Sequence, residues 1–160
     1  MAVDILLKID GVDGESMIQD HEDEIDVLSW SWGMSQSGTM HGGLGGGAGK
    51  VNIQDISVTK YVDKASPNLM RACCNGEHFK EATLFVRKAG KEALEYYKVK
   101  MSPVLVTAVD TGGSGGDDRI TENVSLNFAK MEVAYTPQKE DGTGDAEVTL
   151  NWNIEKNIEE

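Results

Sequence analysis

The chain is patterned in twos. Apolar and small polar positions alternate from Ile25 to Gln36, and the alternation returns from Lys50 to Tyr61. Side chains on a strand point to opposite faces with period two. Leu28, Trp30, Trp32 and Met34 therefore share one face, expected to be core. Val27, Ser29, Ser31 and Gly33 share the other, which is small and mildly polar. The same period marks Val3 to Ile9, Ala82 to Val86, Tyr97 to Met101 and Val148 to Ile154, each predicted as a strand. Val104 to Asp110 reads as a buried run, and Pro103 before it predicts a bend or bulge, because proline cannot donate to a ladder. Val124, Leu126 and Phe128 keep even phase whereas Met131, Val133 and Tyr135 keep odd phase. A phase change near Ala129-Lys130 predicts a bulge or a barrel corner.

One stretch breaks the pattern. Ser66 and Pro67 suit a helix start, and Asn75-Gly76 is a typical stop, so a short helix is expected between them. Leu69, Met70, Cys73 and Cys74 fall at spacings that make an apolar stripe, predicted to close one side of a sheet. Turn chemistry separates the strands at Gly11–Ser16, Gly90-Lys91 and Gln138–Asp145. The charged run Asp20–Glu24 reads as a solvated loop, since His21 has no second histidine at ligand spacing. Many short strands with one helix predict a mainly β fold, a β-barrel of two packed antiparallel sheets with one short flanking α-helix and a long glycine-rich loop. At 160 residues the chain fits a single domain spanning 1–160.

The long loop is the unusual feature. Gly38, Thr39, Met40, His41, Gly42, Gly43, Leu44, Gly45, Gly46, Gly47, Ala48 and Gly49 join two strands that a few residues would connect. Glycine loses the most backbone freedom on ordering, so an arm this rich in it is costly to fix. It is expected either to order against something else or to remain a disordered surface loop.

Composition narrows the function. A formal net charge of −12 and scattered Lys and Arg argue against nucleic-acid and anionic-membrane partners. No run is long and apolar enough to span a membrane, and Met1–Lys8 lacks the features of a signal peptide, so synthesis and residence in the cytosol are expected unless a signal-independent machine exports the protein. Cys73 and Cys74 are adjacent and supply no disulfide framework.

Three motif matches fail on their context. Gly45–Lys50 suggests a phosphate loop, but Leu44 stands where the first glycine belongs, Val51 follows the lysine, and a strand follows instead of a helix. Gly43–Ala48 fits the relaxed dinucleotide pattern and fails on the same missing helix. Ser114 sits centrally in Gly112–Gly116 like a nucleophile-elbow serine, yet His21, His41 and His78 all precede it and a strand follows. No catalytic, cofactor or metal site is predicted. A monomeric β-barrel binding a small ligand, such as a carbohydrate, through Trp30 and Trp32 is the competing reading.

Several segments, in order, carry a resemblance: Gly11–Ser16, Ile25–Gly33, Pro67-Asn-Leu69, Thr111–Arg119, Glu122–Ala129, Tyr135–Gln138 and Trp152-Asn-Ile154. Together they resemble Hcp, the haemolysin-coregulated protein, which is the tail-tube component of bacterial type VI secretion systems. The resemblance implies a β-barrel that assembles as a homohexameric ring with a central channel. It implies rings stacked into a tube, with a VgrG-type spike, sheath and baseplate proteins as partners, and effector proteins carried in the lumen. It further implies export from the bacterial cytoplasm without a signal peptide. On that basis Ser29 and Ser31 are expected to face the lumen and contact cargo, and the glycine arm to reach a neighbouring subunit or ring.

Overall fold

The computed structural model describes residues 3–42, 47–89 and 93–160. The expected turn at Gly90-Lys91 lies outside them. The strands in chain order are β1 (Val3–Ile9), β2 (Ile25–Asp26), β3 (Ser29–Ser31), β4 (Met34–Gln36), β5 (Val51–Ile53) and β6 (Ile56–Tyr61). The helix α1 (Ser66–Asn75) follows, then β7 (His78–Phe79), β8 (Ala82–Lys88), β9 (Glu95–Gly112), β10 (Thr121–Tyr135), β11 (Val148–Asn153) and β12 (Ile158–Glu159). The fold is mainly β with one short helix, as the periodicity predicts. Ten strands form one antiparallel sheet, ordered β12-β11-β10-β9-β8-β1-β2, with β6 on β10, β3 on β6 and β7 on β9; β4 and β5 make a separate two-stranded ribbon.

The segment from Ile25 to Ser31 joins the two ends of the curled sheet. Ile25 and Asp26 pair with Leu7 and Leu6 of β1, and Ser29, Trp30 and Ser31 then pair with Thr59, Val58 and Ser57 of β6. The handover is made by two backbone bonds, Val27 N–H to the Ile5 carbonyl at 3.0 Å and Leu28 N–H to the Thr59 carbonyl at 2.8 Å. The barrel is therefore open in its ladder: β2 and β3 are separate strands bridged by the chain itself. The handover also shifts the phase of burial, which corrects the sequence reading. Val27 is buried although it was expected on the polar face, and Leu28, expected in the core, is 46% exposed. Trp30 and Trp32 do pack against the core, half-buried.

Pro103 marks a second handover rather than a break. β9 runs unbroken for 18 residues, pairing with β8 up to Met101 and with β7 from Val104. Proline sits exposed in the gap between partners, where its missing N–H costs no ladder bond. Across from it β10 changes partner too, from β6 (Thr121–Leu126) to β11 (Lys130–Tyr135). The β9–β10 register is the same on both sides of Ala129, so the phase change there is a corner. The bulge in this ladder lies instead between Ser125 and Leu126. Two strands that exchange partners at the same level can turn their opposite faces to the core, and Val104, Val106, Leu126 and Phe128 are buried on one side of the corner and Val99, Met101 and Met131 on the other. The last predicted strand is confirmed as β11 but is far more open than its apolar face suggests, with Val148 64% and Leu150 37% exposed.

α1 is anchored differently from the expectation. Its N-cap residue is Ala65, and Ser66 makes no cap bond to the helix. Asp63 does that work from outside, its carboxylate accepting from the Ala65 N–H at 3.0 Å. Gly76 closes the helix in the left-handed region, φ 73°, with its N–H on the Ala72 carbonyl at 2.9 Å. The buried face is Ser66, Leu69 and Ala72, so the predicted stripe holds only for Leu69. Cys73 and Cys74 are exposed, and Met70 is on the flank at 36% exposure.

Ser66 belongs to a buried ionic cluster. The Lys60 ammonium, with none of its residue exposed, contacts the equally buried Glu122 carboxylate, the Asp63 carboxylate at 2.9 Å and Ser66 Oγ at 3.2 Å. The Ser66 hydroxyl donates to Glu122 Oε1 at 2.6 Å and accepts from the Asp63 N–H at 3.0 Å. One cation thus ties β6, β10 and the start of α1 together.

Candidate functional site

Ser29 and Ser31 are exposed on β3, on the face away from the core. Cross-strand register extends that face. Ser31 is level with Ser57 of β6 and through it with Ser125 of β10; Ser29 is level with Thr59 and then Asn123. The hydroxyls of Ser57 and Ser125 meet at 3.0 Å, and Thr59 donates to Asn123 Oδ1 at 2.6 Å. At the β10 bulge, Thr107 and Asn127 both donate to Asp55, at 2.7 and 2.8 Å. The result is a sheet face of hydroxyls and amides with few charges. The β6 and β10 members were legible in the sequence as the polar phase of those strands, but only register puts them beside the two serines.

The arm grows from the β4–β5 ribbon. Met34, Ser35 and Gln36 pair with Ile53, Asn52 and Val51. A bridge between Thr39 and Gly47 carries the hairpin outward, with Thr39 N–H on the Gly47 carbonyl at 3.2 Å. Glycine is required where the two backbones approach. A Cβ on Gly38 would stand 2.7 Å from the Gly47 carbonyl oxygen and 2.8 Å from the Gly49 nitrogen, closer than packed atoms come. Met40 stands 86% exposed, and His41 and Gly42 are exposed as well. Gly43, Leu44, Gly45 and Gly46 lie outside the described residues, and Ala48 takes part in no bridge.

An apolar groove of about 220 Å³ opens at the arm's base, lined by Met34, Val51, Ile53, Met131, Leu150 and Trp152. Apolar patches rimmed by polar surface mark contact sites. The Trp152 Nε1 atom is buried there with no acceptor among the described residues.

The indoles expected to compete as a ligand platform are engaged internally. Trp30 stacks on Tyr97 with ring centroids 5.6 Å apart, and the Trp32 N–H donates to the Gln54 carbonyl at 2.9 Å. Ser114 donates to Asp117 at 3.0 Å in an exposed loop that Arg119 anchors by lying 3.8 Å over the Tyr61 ring. Among the described residues no helix is long and apolar enough to cross a membrane.

The charged run Asp20–Glu24 is where the sequence reading fails most. His21 and Glu24 are buried rather than solvated, at 5% and 7% exposure. The His21 ring sits between two carboxylates, Nδ1 on Glu24 and Nε2 on Glu95 at 2.5 Å. Burial raises the Glu24 carboxyl above its ordinary value, and the His21 contact only partly offsets this.

The profile of the family described as "Type VI secretion system effector, Hcp" matches residues 6–135. The chain belongs to the Hcp family. It is 58% identical to protein hcp1 of Pseudomonas aeruginosa, over 99% of each chain. Among solved structures, Hcp1 from Salmonella typhimurium superposes with a TM-score of 0.83 at 39% identity, covering 100% of both chains. A structure described as a type six secretion system protein reaches a TM-score of 0.94 at 29% identity, covering 99% of this chain and 100% of the other. A type VI secretion system effector from Yersinia pestis gives 0.77 at 35% identity, covering 94% and 99%.

Proposed function

We propose that the chain is the structural subunit of a type VI secretion inner tube, forming homohexameric rings that stack, leave the cell and carry effectors in the lumen. The observation that carries the reading is the exposed hairpin arm, described at Gly38–Gly42 and Gly47–Gly49, with the apolar groove at its base. A hairpin that leaves its own sheet, beside exposed Met34 and Leu150 and the half-buried Trp152, is completed by another copy of the chain. Ring closure needs a heterologous contact, one surface of each subunit meeting a different surface of the next. The spike, sheath and baseplate are further partners, and the reading needs no catalytic step, cofactor or membrane insertion. Native mass spectrometry of the purified protein at micromolar concentration tests it: a dominant hexamer with a central hole in negative-stain images is expected. A clean monomer would return the function to a ligand-binding barrel.

Ser29 and Ser31, with Ser57, Thr59, Asn123 and Ser125 beside them, are the proposed lumen surface. Small uncharged groups suit transit, since they hydrogen-bond cargo through few immobilised side chains and present no charge that must be desolvated. Ser31→Arg is expected to leave the hexamer intact and to abolish co-purification of a lumen cargo from the producing cell. Unchanged cargo recovery with an intact ring would move the contact elsewhere.

A further inference from the structure

The sulfur side chains of α1 are used by nothing else in the fold. Cysteine is among the most buried residue types, and its reactivity toward thiols, oxidants and metal ions sets it apart from other small apolar side chains. Cys73 and Cys74 are both free and both exposed, one turn after Met70, which is 36% exposed. The three sulfurs thus occupy positions i, i+3 and i+4 of one helix. At the helical repeat, Cys73 lies about 60° to one side of Met70 and Cys74 about 40° to the other, and such neighbours hold their Cβ atoms about 5–6 Å apart. Side chains on a helix lean toward its N-terminus, so both thiols lean back over the turn that carries Met70. The thioether has rotatable bonds enough to close the remaining gap. The frame beneath is fixed. Leu69 and Ala72 are fully buried where α1 packs on β9, Asp63 holds the first turn through the Ala65 N–H at 3.0 Å, and the Gly76 N–H closes the last on the Ala72 carbonyl at 2.9 Å. Arg71, the basic residue of the helix, is turned to Asn68 at 3.0 Å.

We propose that Met70, Cys73 and Cys74 form a surface site for a monovalent copper ion. Thiolate and thioether sulfur together select Cu(I), whereas zinc takes nitrogen, oxygen or thiolate ligands in a tetrahedron, and calcium and magnesium take oxygen. Among the described residues no three of His, Cys, Asp and Glu come together as a metal site, so the third donor open to the cysteines is the Met70 thioether. The thiols do not suit one another as disulfide partners, because adjacent Cα atoms stand about 3.8 Å apart, less than such a bond usually spans. Both therefore remain available to the metal. Binding forms three Cu–S bonds, leaves the copper monovalent and releases the thiol protons to water. The site is complete within one chain, so it stands apart from the tube reading and does not depend on assembly.

Anaerobic titration of the reduced full-length protein with Cu(I), in competition with the Cu(I) chelator bicinchoninate, tests the site. Native mass spectrometry should find one copper per chain, and X-ray absorption should find a shell of sulfur alone. Copper should protect both thiols from alkylation, and zinc at the same concentration should not. Cys73→Ser and Cys74→Ser should each weaken binding by about tenfold or more, since even partners that only orient a metal ligand are worth that much. Met70→Leu should weaken it by a smaller factor and take one sulfur from the shell. All three positions are exposed, so the metal-free variants should melt with the wild type. Copper lost entirely to the chelator, nitrogen in its shell, one ion shared by two chains, equal protection by zinc, or affinity unmoved by the three replacements would overturn the site.

Discussion

Lys60→Ala is expected to destabilise the fold by about 3–5 kcal/mol, because it leaves a carboxylate buried without its cation. Glu122 is 1% exposed, and one of its oxygens, Oε2, already has no partner among the described residues. With the ammonium gone, the Ser66 hydroxyl at 2.6 Å is the hydrogen bond left to Glu122. Glu122→Ala should cost a similar amount by stranding the lysine, tempered by Asp63 at 2.9 Å, which is closer to solvent at 9% side-chain exposure. The double replacement Lys60→Met with Glu122→Leu removes both charges and fills the space, and it should recover most of the loss. Urea denaturation of the four proteins is compared at one fixed protomer concentration, since assembly makes apparent stability concentration-dependent. Single replacements costing less than about 1 kcal/mol would show that water reaches the cluster and that the ends of β6 and β10 are held by their ladder alone.

Deleting Thr39 to Ala48 is expected to leave a folded ring and abolish stacking of rings into tubes. The deletion joins Gly38 to Gly49, whose backbones already lie within packing distance, so the new turn closes without strain on β4 and β5. None of the described residues among those removed belongs to the core cluster. Shortening a loop lowers its closure entropy by only fractions of a kcal/mol to about 1 kcal/mol, so the melting temperature should hold or rise slightly. The assembly should respond far more strongly, because Met40, His41 and Gly42 are exposed surface that a neighbour would cover. Electron microscopy of the concentrated protein should show single rings and no tubes, beside a thermal melt unchanged within a few degrees. Tubes of normal length from the deleted protein would assign stacking to the barrel faces, and loss of folding would place the arm in the core.

The two handovers explain why strands were easier to find than their partners. Alternation located the runs from Ile25, Lys50, Ala82 and Val148, since period two is a local property of each run. At Val27-Leu28 the chain leaves β1 for β6, and at Pro103 and Ala129 β9 and β10 exchange neighbours. Such an exchange changes which face is covered without changing the backbone conformation. The sequence therefore shows a phase change at Ala129, whereas the identity of each partner depends on residues tens of positions away. The helix was misread in the same manner. Cys73 and Cys74 are apolar at suitable spacing, but the rotation of α1 is set by Ser66 reaching Glu122, a contact across 56 residues.

The candidate surfaces divide along the same line. The sequence by itself determined the family, the mainly β class, the existence of the arm and the polar identity of Ser29 and Ser31, because each is written in a contiguous stretch. Only the tertiary structure decided that Ser57, Thr59, Asn123 and Ser125 stand beside those serines, and that Gly38 and Gly49 cross as a hairpin. It alone paired Lys60 with Glu122 in the interior across 62 residues, and buried His21, which reads as solvated in the sequence, against Glu95 across 74. The physical reason is that a charge can be buried only where a distant strand supplies its counter-charge, and no local pattern encodes that partner.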